Sequence, residues 1–347
     1  MILDYSTITK EFILSIQEFD PEKLFSDPDQ VNTEYKILAK RFHPDVPMTG
    51  NTDVFQHINI LKDKAEAKIK IGEWHTPGIL EIAGKDGKTY RIKYVKEYEF
   101  GLGRAYIANH FVAYLFDSSN DDLIKNATKL IQNFPYPHPR VKSEIEPRLT
   151  KIKHEVDTTR GKLLVLEKPV DTIRLLDLLD YSKGSLDPRH VAWVMSELYN
   201  LACYLEKTNL THNDLSLDTV FVNPALHSAH IIGGWWYSST VGTRMQKKQS
   251  GRTVAFAPGS VLKSKIADIK TDLELVKLTG RELLGDDTGS KLINSTTVPK
   301  PLLDWLRTAS TGRAESDYKL WQDVLIKSFG PRRFTELEVR FSDIYKG

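Results

Sequence analysis

The chain has 347 residues, room for about two domains at roughly 150 residues each. Lys+Arg 48 against Asp+Glu 46 leaves a formal charge of +2, which excludes a strong overall field for nucleic acid or an anionic membrane. With 40% hydrophobic and 27% charged residues and a single cysteine, Cys203, the composition excludes a disordered chain, a disulfide framework and cysteine-rich zinc modules.

The opening MILDYSTITKEF carries Asp4 and no basic flank before an apolar core, so no secretory signal is expected. Ile8, Phe12, Ile13 and Ile16 recur at helical spacing and predict a short amphipathic helix within residues 1–19. Asp20-Pro21 suits an N-cap followed by proline in the first turn. From Gln30 to Phe42, Val31, Tyr35, Leu38 and Phe42 share one face while Lys36, Lys40 and Arg41 lie on another. This helix must stop near Phe42, because His43 precedes Pro44. After the polar loop VPMTGNTD, Phe55, Ile58, Leu61, Ala65 and Ile69 mark a second helix beginning at Val54, and the two predict an antiparallel hairpin.

Trp74-His75-Thr76-Pro77-Gly78 marks a boundary, since beyond it the apolar period changes from 3.6 to 2. Short strands are expected from Ile79 to about Pro169, interrupted by one helix at Asp121–Phe134. Apolar runs stay short, as in LLVL at Leu163–Leu166, so no membrane span is expected. Beyond Asp187 the chain reads as mostly helical, clearest at Val191–Thr208, with short strands and glycines between Thr211 and Pro258. Tyr318–Arg340 is amphipathic, with Trp321, Val324, Leu325 and Phe329 on one side, and is expected to close the helical region. The divisions are 1–19, an extension; 20–76, a helical module; 77–169, a strand-rich lobe; and 170–347, a helix-rich lobe.

EYKILAKRFHPDV followed by VFQHINILKDKAEAKI resembles the J-domain, the DnaJ-type module that docks on DnaK-type chaperones. The likeness runs from Asp20 to Ile71. The signature tripeptide is His43-Pro44-Asp45, behind a basic helix and ahead of Phe55-Gln56 and Ile58-Asn59. Lys36, Lys40 and Arg41 form a cationic stripe suited to an acidic partner surface. The exposed histidine and aspartate offer a donor–acceptor pair beside a stiff proline. The resemblance implies stimulation of the chaperone's ATP hydrolysis through that tripeptide. The plainer reading is a solvated basic face and an ordinary helix stop, and PEKLFS is a short first helix.

From about Gly78 onward the chain is similar to the protein-kinase fold. Its anchor is THNDLSLDTVFV at Thr211–Val222, preceded by a long helix and followed by IIGGWWY, AFAPGS and Thr271-Asp272-Leu273-Glu274. LLVLEKP at Leu163–Pro169 resembles the strand that enters the hinge. The fold class is therefore α+β: a small J-like helical hairpin followed by a bilobal kinase-like domain, with a β-rich N-lobe and an α-rich C-lobe.

The resemblance places Asp214 on the catalytic base and implies losses elsewhere. With Gly101 and Gly103 as the glycine turn, FVAYLFD puts Leu115 at the phosphate-holding lysine. Asn126 stands for the paired glutamate, Thr219 for the metal-binding asparagine, and Gly233 for the metal-binding aspartate. A second register would use the Gly84–Gly87 turn and Lys93, but the first gives a cleaner strand–strand–helix order. Asp214 is then either an isolated base or a residue bonded to its own loop. Trp235, Trp236 and Tyr237 would fill the emptied cleft or anchor a partner. His190, His212, His227 and His230 show no metal-ligand spacing, and Arg332-Arg333 is too small a basic spot for nucleic acid.

The expected function is that of a cytoplasmic, non-catalytic adaptor with no cofactor and no metal. Its J-like module would recruit a DnaK-type chaperone through His43, Pro44, Asp45, Lys36, Lys40 and Arg41, and its pseudokinase would bind a protein client. Alternatives are an atypical kinase-fold phospho- or nucleotidyl-transferase using Asp214, and an assembly subunit with a vestigial J-domain.

Overall fold

The computed structural model describes residues 5, 7–18, 20–25, 28–70, 78–117, 119–286, 288 and 290–345. The boundary signal around Pro77 and the end of the J-like likeness at Ile71 lie outside these residues. The chain divides into two units, Met1–Tyr94 and Val95–Gly347. The division thus comes later than the Pro77-Gly78 signal, and the first hairpin after it groups with the helical unit.

In the first unit, α1 (Lys10–Ser15) starts where the Thr9 hydroxyl accepts from the Phe12 amide at 3.2 Å. Ile8, Ile13 and Ile16 are buried, whereas Phe12 points outward. Pro21–Lys23 forms one 3₁₀ turn, and Asp20 does not cap it but pairs with Lys23 at 2.8 Å. Helices α2 (Val31–Phe42) and α3 (Thr52–Lys70) bury Val31, Leu38 and Phe42 against Val54, Ile58, Leu61 and Ala65. Ile69, expected in that stripe, is about one-third exposed at the end of α3. Tyr35 donates to Asn59 at 2.8 Å and the Asn51 amide to the Phe42 carbonyl at 3.1 Å, a pattern that sets the helices antiparallel. His57 Nε2 bonds the Ile16 carbonyl at 2.8 Å and ties α1 to α3. Strands β1 (Ile79–Ala83) and β2 (Thr89–Lys93) form a separate hairpin.

The turn between α2 and α3 is tight. The Val46 amide donates to the His43 carbonyl at 2.9 Å, the Gly50 amide to Val46 at 3.0 Å, and the Thr49 hydroxyl to Arg41 at 2.7 Å. Three carbonyls thereby converge on Gly50: a Cβ there would lie 2.3 Å from the His43 oxygen, 2.7 Å from Val46 and 2.8 Å from Pro44. Only glycine fits without moving backbone.

The second unit opens on an antiparallel sheet of β3 (Lys96–Phe100), β4 (Gly103–Ile107), β5 (Phe111–Phe116), β6 (Ile152–Thr158) and β7 (Gly161–Glu167), in the order β3-β4-β5-β7-β6. Between β5 and β6 lie α4 (Asp121–Gln132) and a second helix not expected from the sequence, α5 (Pro139–Ile145). Pro139 occupies its first turn and the His138 ring accepts from the Arg140 amide, a start signal of only a few residues.

The helical lobe follows: β8 (Ile173–Arg174), α6 (Leu175–Tyr181), α7 (Pro188–Lys207), β9 (Leu210–Thr211), β10 (Val220–Asn223), β11 (Ser228–Ile231), β12 (Ser239–Thr240), α8 (Gly251–Phe256), α9 (Gly259–Ser264), α10 (Lys270–Leu283), α11 (Lys300–Arg307), α12 (Ala314–Phe329) and α13 (Phe341–Ile344). Its core is α7, buried through Val191, Val194, Met195, Leu198, Leu201 and Leu205. Trp321 of α12 is fully buried and donates to Ser196 at 2.9 Å. The amphipathic tail does not continue to Arg340 as one helix. It ends at Phe329, because Gly330 takes a φ of 73° and Pro331 follows.

Gly50→Ala should weaken the helical unit by about 1–3 kcal/mol, the range for forced overpacking. Hydrogen exchange on the full chain checks this: α2 and α3 lose protection while α7 and α10 keep theirs.

Candidate functional site

Two places carry the expected chemistry. The first is the α2–α3 turn. His43 stands with its ring edge-on to Phe55 at 5.0 Å between centroids. Its Nδ1 accepts from the Asp45 amide at 3.3 Å and lies 3.5 Å from the Asp45 carboxylate, which is 89% exposed. Phe55 therefore fixes the histidine while the aspartate stays in water. Of the three expected cations, Lys36 and Lys40 are exposed and, among the described residues, make no ion pair. Arg41 turns back instead, donating to the Tyr5 carbonyl and lying over the Phe42 ring at 4.9 Å. It serves the packing of the unit rather than the outward stripe.

The second place is the cleft between sheet and helical lobe of the larger unit. Gly101 and Gly103 lie in and beside the β3–β4 turn, whereas Lys93 is an exposed residue of the separate β1–β2 hairpin. Successive strand residues point to opposite faces, and on β5 the inward residue is Tyr114, not Leu115. Tyr114 packs on Trp236 with centroids 5.0 Å apart and on Phe100 at 5.4 Å. Leu115 lies on the opposite face of the strand, also buried. Neither side chain is a cation.

Gly233 faces Tyr114. A Cβ on Gly233 would lie 2.6 Å from the Tyr114 hydroxyl oxygen and 3.2 Å from its Cζ. No aspartate fits there while Tyr114 holds its place. Gly234, with φ 84°, faces the His212 ring, which a Cβ would meet at 2.4 Å. Trp236 also packs on Phe100 at 5.5 Å and Phe116 at 5.0 Å, and Trp235 is edge-on to His212 and Phe134 at 4.7 Å each. Asn126 donates to the carbonyls of Trp236 at 3.2 Å and Ser238 at 2.9 Å. The residue expected to replace an ion-pairing glutamate thus ties α4 to the aromatic plug.

The loop around Asp214 is held by its own bonds. Thr219 donates to the Asp214 carbonyl at 2.7 Å, so its hydroxyl is spent inside the loop. Asp272, wholly buried at the start of α10, accepts the amides of His212 at 2.7 Å and Asn213 at 2.8 Å. His212 Nε2 donates to the Gly233 carbonyl at 2.9 Å, and burial pushes its pKa down to about 4, keeping the ring neutral. Burial pushes Asp214 up to about 8, opposed by a Ser250 hydrogen bond and Arg252, and Asp272 up to about 7. His230 bonds Pro147 and Ser228, and His227 is stacked between Trp193 and Phe334. Among the described residues no three His, Cys, Asp or Glu side chains converge as a metal site.

Sequence reasoning missed the ionic centre of this cleft. Arg174 donates to Asp177 at 2.6 and 3.1 Å and to Asp218 at 3.0 Å, and lies 3.9 Å over the Tyr98 ring. Lys96 pairs with Asp177 at 2.8 Å from the sheet side. From the C-terminal segment, Tyr345 donates to Asp177 at 2.6 Å and accepts from the Arg174 amide at 3.1 Å. Next to it, Lys168 is buried among carbonyls, donating to Asn109 at 2.9 Å and Thr172 at 3.0 Å, and burial lowers its pKa to about 7. The Arg-x-x-Asp spacing of Arg174 and Asp177 was the one signal available.

A structure of vaccinia related kinase 3 superposes with a TM-score of 0.52 at 14% identity, covering 73% of this chain and 91% of that one. The larger unit has a kinase-like fold. No family model and no curated protein sequence matches the chain. The groups that would hold magnesium and a nucleoside triphosphate in such a fold do not fit here. At the positions that the sequence motifs assign to those groups stand Gly233, with Tyr114 in the space beside it, and Thr219, whose hydroxyl is donated to the Asp214 carbonyl, while the inward residue of β5 is a tyrosine.

Two outcomes follow. Gly233→Asp should cost about 1–3 kcal/mol in the wild type through overpacking and much less with Tyr114→Ala, a coupling that a denaturant double-mutant cycle measures. Between the ordinary aspartate value of 3.8 and about 8, folded Asp214 keeps a proton that the unfolded chain has released. Stability therefore falls as pH rises through that window and levels off above it, with Asp272 adding to the slope. Asp214→Asn should raise the melting temperature over wild type more at about pH 8.5 than at about pH 5.

Proposed function

We propose that the protein is a non-catalytic adaptor that recruits a DnaK-type chaperone through its helical unit and holds a protein partner with its kinase-like unit. The observation that carries the non-catalytic half is the Tyr114–Gly233 contact, which removes the room for a metal-binding carboxylate. The docking half rests on the α2–α3 turn. It presents Asp45 to solvent beside an anchored His43, with Lys36 and Lys40 exposed on the preceding helix. Cations in this arrangement steer an acidic partner and set register. Carrying both modules on one chain raises their local concentration, so neither contact need be tight.

A transferase working through Asp214 finds no support in the loop geometry. The Thr219 hydroxyl, where the motif calls for a metal ligand, is donated to the Asp214 carbonyl instead and leaves no group beside Asp214 to hold a metal-bound phosphate. An assembly subunit with a vestigial docking module differs from the adaptor in one measurable respect. Under the adaptor reading, full-length protein co-precipitates a DnaK-type chaperone in an ATP-dependent manner, and His43→Gln abolishes it. Equal recovery with both chains, or none with either, contradicts it.

A further inference from the structure

We propose that Met48 is an apolar pin that enters a recess in the acidic partner face docking on the α2–α3 turn. The inference rests on the chaperone-docking reading above and adds to it a contact outside the tripeptide and the basic helix.

Met48 is 99% exposed, the most exposed of the large apolar side chains described. A lone exposed aliphatic group usually lies along its neighbours and carries no message. Met48 instead stands clear of them on a turn that cannot easily relax. Its φ of 68° is a left-handed conformation rare for a residue with a side chain. The turn is pinned on both sides, by the Val46–His43 and Gly50–Val46 backbone bonds and by the Thr49 hydroxyl on Arg41. The Asn51 side chain accepts from the Val54 amide at 3.0 Å and locks the turn to α3. Gly50 has no room for a Cβ, so the turn is closed around a sequence that permits one shape.

The same turn holds Asp45, and the helix leading into it exposes Lys36, Ile37 and Lys40 at helical spacing. Lys36 and Lys40 lack ion-pair partners among the described residues. Charge complementarity therefore calls for an acidic face on the occupant, and the methionine calls for an apolar recess in that face. An unbranched, polarisable side chain adapts to the shape of such a recess. The hydrogen-bonded turn fixes the backbone of Met48 before binding, so the ordering cost on docking falls on the side chain alone.

The test uses the full chain and a DnaK-type chaperone, with ATPase rate measured against concentration for wild type, Met48→Ser, Met48→Leu and Asp45→Asn. Met48 is solvent-exposed, so these variants fold. Met48→Ser is expected to raise the half-saturating concentration about tenfold or more, the scale for withdrawing one methionine side chain from water. It should leave the maximal rate unchanged, Met48→Leu should restore the wild-type curve, and Asp45→Asn should abolish stimulation. If Met48→Ser follows the wild-type curve while Asp45→Asn is inactive, the pin is wrong and the docking reading stands. If wild type itself gives no stimulation, both fall.

Discussion

Tyr114 and Gly233 compete for one volume at the centre of the larger unit. A phenol ring occupies the space a carboxylate would need, and the rest of the cleft follows from that occupancy. Trp236, Phe100 and Phe116 close around the ring at centroid distances of 5.0–6.4 Å. Edge-to-face packing of this kind adds to plain area burial, about 0.5–1.5 kcal/mol per pair. Asn126 then fastens α4 to the backbone of the same segment, a hydrogen-bonding task in place of an ionic one.

The cleft is bridged by fixed charge as well as aromatic mass. Asp177 receives Arg174, Lys96 and Tyr345, which come from the helical lobe, the sheet and the C-terminal segment. Hydrogen bonds from the buried Arg174 hold the Asp177 carboxyl below its ordinary value against desolvation. Breaking one member of such a buried set leaves the others uncompensated, so the network favours a single lobe arrangement. The loop bearing Asp214 is likewise held from behind by Asp272, which keeps its shape without any ligand.

Much of this was legible in the sequence. The buried stripe of Val31, Leu38, Phe42, Val54, Ile58, Leu61 and Ala65 is a 3.6-residue pattern, and proline fixed the end of α2. The order of motifs from the glycine turn to Asp272 announced the bilobal fold. The facing of β5 was not legible, because FVAYLF is buried on both faces and carries no alternation to read. VAYL drew attention to Leu115 by analogy, and nothing in it marked Tyr114 as the residue that packs on Trp236. Arg41 looked like its lysine neighbours, and only its bond to Tyr5 separates it from them. Tyr345 lies 168 residues from Asp177, and no local pattern could join them. Nor could periodicity show that Gly50 sits under three carbonyls.

On the proposed reading, the aromatic interior around Tyr114 and Trp236 takes the place of a metal-bound nucleotide in the kinase-like unit. Calorimetric titration of the full chain with ATP and magnesium tests it most directly. The account predicts no saturable heat up to millimolar nucleotide. A one-to-one isotherm in the micromolar range that disappears in Asp214→Asn would contradict it.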